Sequence, residues 1–279
     1  MKKMQAIGAG FSTDYSGSSN YKPKLFEWTS EDNPVKVFID SAIIPGMQYE
    51  KKPGEKKIAW VAESRAIFHS WFCPVDVWEE NLSKIANSYD TVFVSDKRFI
   101  GKEPNIKFCP AGSNLPWIKN MQIFPKTKVC SIIASEKTVT FGHKLRHYMA
   151  NTYKDHIDVY GGVLDSKKLN PGVLWGDKSE GLNDYMFSIT IENDKYETYY
   201  TEKLTDCFAT GTIPIYWGCP DIGDIFNKDG IIELTPNFDI KMLTKELYES
   251  KLPAIIDNFN RVKELENADD YLFKLIHEN

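Results

Sequence analysis

Several absences narrow the roles open to this chain before any motif is read. No apolar run in its 279 residues approaches the roughly 18 needed to span a bilayer, and the opening MKKMQAIGAGFSTDYSG has few apolar residues after its first lysines. Five cysteines, an odd number without paired short spacing, make neither a disulfide framework nor a zinc site. Basic residues are not in excess. With 34 Lys and Arg against 39 Asp and Glu, the net charge of −5 gives no electrostatic reason to expect a nucleic-acid or anionic-membrane partner. There is no internal repeat and no low-complexity tail. The expectation is a folded cytoplasmic protein with neither a signal peptide nor a membrane anchor.

A hydrophobic fraction of 42% and a charged fraction of 26% are those of an ordinary globular chain, and the length suits two domains. VKVFID (35–40), KIAWVA (57–62) and TVFVS (91–95) read as strands, with a helix over 74–87 between the last two. Residues 102–126 carry four prolines and a glycine at position 112, which is too much punctuation for a long element. The boundary is placed there, giving domains 1–125 and 126–279. A second alternating series follows: KVCSIIAS (128–135), a helix over 142–153, DVYGG from Asp158, MFSITI (186–191), a helix from Thr201 and TIPIYW (212–217). Two such series predict an α/β protein of two Rossmann-like domains facing across a cleft, with amphipathic helices closing the chain.

The chemistry concentrates in MFSITIENDKYETYYTEKLTDCFATGTIPIYWGCP (186–220). Ligands of open α/β sheets sit beyond the carboxyl ends of the strands, where Glu192 and Asn193 fall and where the next helix points its N-terminus. Free N–H groups and a partial positive charge suit that end to a diphosphate. Lys203 in the first turn opposes the helix dipole unless an anion offsets it. Glu202 has the acceptor geometry for a ribose diol, while Tyr199 and Tyr200 can stack on a ring or donate to a phosphate oxygen. Packing and dipole complementarity are the plainer roles open to the same residues.

This segment closely resembles the donor-binding segment of the α-1,3-fucosyltransferase family, through Glu192, Asn193, Tyr199, Thr201, Glu202, Lys203, Gly211, Pro214, Tyr216, Trp217 and Gly218. Upstream, KVCSIIASEKTVTFGHKLRHYMANTYKDHIDVYGG resembles the start of the same family's donor domain, and Arg146 matches its helix arginine. The resemblance implies a GT-B fold, a GDP-fucose donor with no further cofactor, and Arg146 on the donor diphosphate. A guanidinium suits that role, holding two phosphate oxygens at once and staying charged at any working pH. Asp194, Thr198 and Tyr200 depart from the family pattern, which bears on the choice of sugar more than on the diphosphate.

Inverting transfer onto a glycan hydroxyl needs a base as well as cations for the leaving group. Glu63, just beyond a buried strand, is the candidate, in a segment faintly resembling the family's strand ending in E-S-P; Arg65 replaces the proline. Pairing with Arg65 or capping of the next helix are its alternative roles, and His69 is the reserve base. No Asp-x-Asp motif is present, so metal-independent transfer is expected. Two other readings stay open: a GT-B transferase using another nucleotide sugar, or a non-catalytic binding relic of the fold.

Overall fold

Strand segments buried on both faces need cover on both sides, and here they build two wholly parallel sheets. The computed structural model describes residues 1–8, 21–163 and 178–277. One unit comprises Met1–Asn114, Glu197–Tyr199 and Glu266–Asn279, the other Leu115–Tyr196 and Tyr200–Leu265.

In the first unit, β1 (Lys2–Ile7), β2 (Phe26–Thr29), β3 (Val35–Ile39), β4 (Lys56–Trp60), β5 (Thr91–Val94) and β6 (Ile106–Phe108) are ordered β2-β1-β3-β4-β5-β6. Alternation along the strands supplies two cores. Phe38, Ala59 and Val92 pack with α1 (Ile43–Gly46), α2 (Arg65–Trp71), α3 (Val75–Glu80) and α4 (Leu82–Asn87), whereas Val37, Ile39, Ile58, Trp60 and Phe93 face the other way. The helix expected over 74–87 is thus two helices, broken at Asn81, whose φ of −106° and ψ of 12° leave the helical region. Trp78 is buried in this core, but Trp71 is exposed.

In the second unit, β7 (Lys128–Ala134), α5 (Phe141–Tyr153), β8 (Asp158–Gly161), β9 (Tyr185–Ile191), α6 (Glu202–Thr210), β10 (Ile213–Trp217), β11 (Ile232–Glu233) and α7 (Lys245–Glu264) follow in turn, with sheet order β11-β10-β9-β7-β8. All seven residues of β9 are buried, as a central parallel strand requires. Helix α6 starts on Thr201, whose hydroxyl accepts from the Lys203 N–H, and stops on Gly211 at φ 74°, a left-handed turn that glycine takes without strain.

The final helix, α8 (Ala268–His277), corrects the expected domain content. It belongs to the first unit, stacking Phe273 on Phe26 at 5.2 Å and accepting at Asp269 a 2.7 Å bond from the Trp28 indole. The sheet's second face needs that cover. The two units also part at Asn114 and Leu115, ahead of the 125/126 position read from the prolines. Among the described residues, no helix is long and apolar enough to cross a membrane.

Candidate active site

The strand order of the second sheet reverses direction between β7 and β9, since β8 lies on one side of β7 and β9 on the other. At such a switch point the loops leave in opposite directions and open a crevice beyond the carboxyl ends of the strands. Helix α5 begins there after β7, and Glu192 and Asn193 directly follow β9. A Cβ placed on Gly142 would lie 1.8 Å from the Glu192 carbonyl oxygen, so glycine is what lets α5 abut the strand end. Arg146 follows one turn later on the same helix face. Its guanidinium, buried with 6% exposure, donates to the Asn193 side-chain oxygen. The sequence had placed Arg146, Glu192 and Asn193 at one ligand end, and the structure brings all three together.

Glu192 is wholly buried, and its carboxylate accepts from the Thr201 N–H at 2.9 Å and the Thr201 hydroxyl at 2.7 Å. This locks the start of α6 to the end of β9. Gly218 serves the same junction, because a Cβ there would lie 2.6 Å from the Glu192 Cγ. Lys203 sits in the first turn of α6, its ammonium 3.1 Å from the Thr201 hydroxyl, 3.2 Å from Glu202 and 3.7 Å from Glu192. Its side chain keeps 23% exposure, the most open of this charged group. The anion inferred from sequence to offset Lys203 therefore has counterparts within the protein, in two carboxylates.

Beneath lies a part of the site that the sequence did not disclose. Lys178 donates to Glu202 at 3.1 Å and to Asp206 at 2.8 Å, and its ammonium stands 4.3 Å from the centre of the Trp117 ring. Asp206 also accepts from the Trp117 and Ile118 N–H groups. Burial raises the pKa of Glu192 and of Asp206, shifting each toward its protonated form. Burial pushes Glu202 the same way, but Lys178 and Lys203 outweigh it and hold this carboxyl well below the usual range. Lys178, in spite of its burial, is pushed up to about 12 by Asp206 and Glu202.

His143 accepts at Nδ1 from the Thr140 N–H while Thr140 caps the His143 N–H, a reciprocal box at the start of α5. Burial, then Arg146, Lys203, Lys137 and His147, push this imidazole down to about 3. Burial and four basic neighbours together therefore keep this histidine neutral. Two helix starts, a guanidinium and an ammonium thus gather at one switch point. Such a site can bind a diphosphate and take up charge on a departing phosphate.

Tyr199 is buried with 1% exposure and groups with the first unit. Tyr200 packs edge-on against Phe226 in the core of the second, which is the plainer of its two readings. In the first unit, Glu63 follows β4, is exposed, and accepts from the Ser64 N–H at 3.2 Å. Ser64 caps α2, and Arg65 lies 3.6 Å from Asp96. His69 lies 2.7 Å from the Cys73 carbonyl through Nδ1.

With its two parallel-sheet α/β units the chain has the GT-B fold. Its fold is shared with the crystal structure of an alpha1,3-fucosyltransferase (TM-score 0.52, 16% identity, 91% of this chain and 80% of that one) and with that of TarM (TM-score 0.54, 13% identity, 87% and 54%). Residues 123–251 match the model of the C-terminal part of glycosyltransferase family 10 (fucosyltransferase). The alpha-(1,3)-fucosyltransferase FucT of Helicobacter pylori is 39% identical over 64 residues, 22% of this chain and 13% of that protein. The GDP-fucose protein O-fucosyltransferase 3 of Xenopus laevis is 34% identical over 103 residues, 33% and 20% respectively. The matches therefore span a fifth or less of these two relatives' length.

Proposed function

We propose that this chain is an inverting, metal-independent fucosyltransferase that moves fucose from GDP-fucose to a hydroxyl of a glycan acceptor. The observation that carries this reading is the convergence of Arg146, Lys203 and the start of α6 at the β7/β9 switch, inside the segment that matches family 10. Arg146 and Lys203 hold the diphosphate, and Glu202 accepts from the ribose hydroxyls. Glu192 and Asn193 act on the donor through Thr201 and Arg146, while Tyr199 has the remaining donor contact. The acceptor oxygen attacks the anomeric carbon, and the bond to the diphosphate breaks on the opposite side. GDP leaves with its charge met by the two cations, and the hydroxyl proton passes to Glu63. Five buried cysteines, none of them in a disulfide, fit a cytoplasmic setting.

A mass-read transfer screen of nucleotide-sugar donors against a glycan panel tests this reading. A product heavier by one deoxyhexose with GDP-fucose alone supports it. Transfer from another donor moves the chain to the alternative set by Asp194, Thr198 and Tyr200, and binding without transfer or hydrolysis to the relic.

A further inference from the structure

The first sheet has a switch point too. Its order reverses between β1 and β3, so that a crevice belongs beyond the ends of those strands and their neighbour β4. Asp40 is the first residue after β3. It takes φ 44°, a left-handed conformation uncommon for any residue but glycine, asparagine or aspartate. Ile39 pairs with Trp60, the last residue of β4, so Asp40 lies beside the stretch that leads to Glu63. One Asp40 carboxyl oxygen, Oδ1, accepts from the backbone N–H of Ala62 at 2.9 Å and of Glu63 at 3.2 Å. A single oxygen thus ties down two successive amides of the turn presenting the candidate base. Immediately beyond it, Ser64 accepts the Ile67 N–H and starts α2. Backbone strain of this kind persists where surrounding contacts over-determine it, and it collects at functional sites.

We infer that Asp40 is a positioning residue for Glu63: it fixes the backbone of the strand-end turn from which that carboxylate reaches the acceptor hydroxyl. The inference rests on the reading of Glu63 as the base. Burial, and then the charge of Glu63, push the Asp40 carboxyl up to about 8, which agrees with the two carboxyls being neighbours. The proton taken from the acceptor goes to Glu63, and Asp40 holds two N–H groups throughout.

The test uses D40G, D40N, E63Q and the D40G/E63Q double variant of the full chain, with GDP-fucose as probe and GDP release as readout. Glycine adopts φ 44° without strain but removes the anchor, whereas asparagine tolerates the backbone and keeps an accepting oxygen. D40G is expected to lower turnover about 30-fold with unchanged GDP affinity, D40N to restore it to within about threefold of wild type, and D40G to cost nothing further once Glu63 is glutamine. Amide exchange at Ala62 and Glu63 should accelerate in D40G and not in D40N. Wild-type turnover in D40G, a full additional loss in the double variant, or unchanged amide exchange would overturn the inference. Wild-type turnover in E63Q together with faster exchange in D40G would instead remove Glu63 as the base and leave the anchor standing.

Discussion

Gly142 and the Glu192 carbonyl are in such close contact that a methyl group on that glycine would sit 1.8 Å from the oxygen. Both partners are backbone at that point, and neither can turn aside as a side chain would. G142A should therefore push α5 off the end of β9, lower stability by about 2 kcal/mol or more, and separate Arg146 from Asn193. Urea unfolding read beside GDP titration checks both effects. Wild-type stability would mean that the contact is slack.

Arg146 carries a planar fork that a lysine lacks. R146K keeps the charge but not the paired geometry, so GDP affinity should fall about tenfold, and R146A should lose about 100-fold. Calorimetric titration separates the two. Equal affinity in R146K and wild type would reduce the arginine to a diffuse charge.

Lys178 joins Glu202 and Asp206, and removing one member of a buried pair leaves the others charged without compensation. K178M should lose about 3 kcal/mol near neutral pH. The sign follows from the raised ammonium: its contribution is whole below the ordinary 10.5 and disappears as pH climbs from there through about 12. Denaturation curves of wild type and K178M should converge over that alkaline window. A constant gap would assign the loss to packing on Trp117.

The transfer proposed above, assisted by Arg146 and Lys203, uses no divalent ion. Turnover of GDP-fucose in EDTA should match that in magnesium or manganese. Activity lost to the chelator and restored by either ion would contradict metal-independent transfer.

Much of the fold was legible because central parallel strands are continuous apolar runs; MFSITI and KVCSIIA can hardly be placed elsewhere. The short or lateral strands β1, β2, β6 and β11 were not, since their pairing is settled by distant partners. In β1, three of six residues are only partly buried and two are exposed lysines, which gives little apolar signal. The amphipathic pattern of α8 announced a helix but could not say which sheet it covers; Phe26 and Trp28 decide that. At the site, Gly142 and Arg146 stand four residues apart and were open to reading as one helix face. Lys178 was not, because it meets its carboxylates across 24 and 28 residues of sequence. The pairing of Lys203 with Glu202 and Glu192 escaped for another reason: sequence shows that a lysine opposes the helix dipole, not what already compensates it.

The central claim is that the β7/β9 switch point cradles the diphosphate of a guanine nucleotide sugar. Isothermal titration of wild type, R146A and K203M with GDP, GDP-fucose and UDP tests it most directly. The account predicts one site that prefers GDP to UDP, accepts GDP-fucose, and is weakened by about tenfold or more in each variant. Undiminished GDP binding in R146A and K203M, or a preference for UDP, would contradict it.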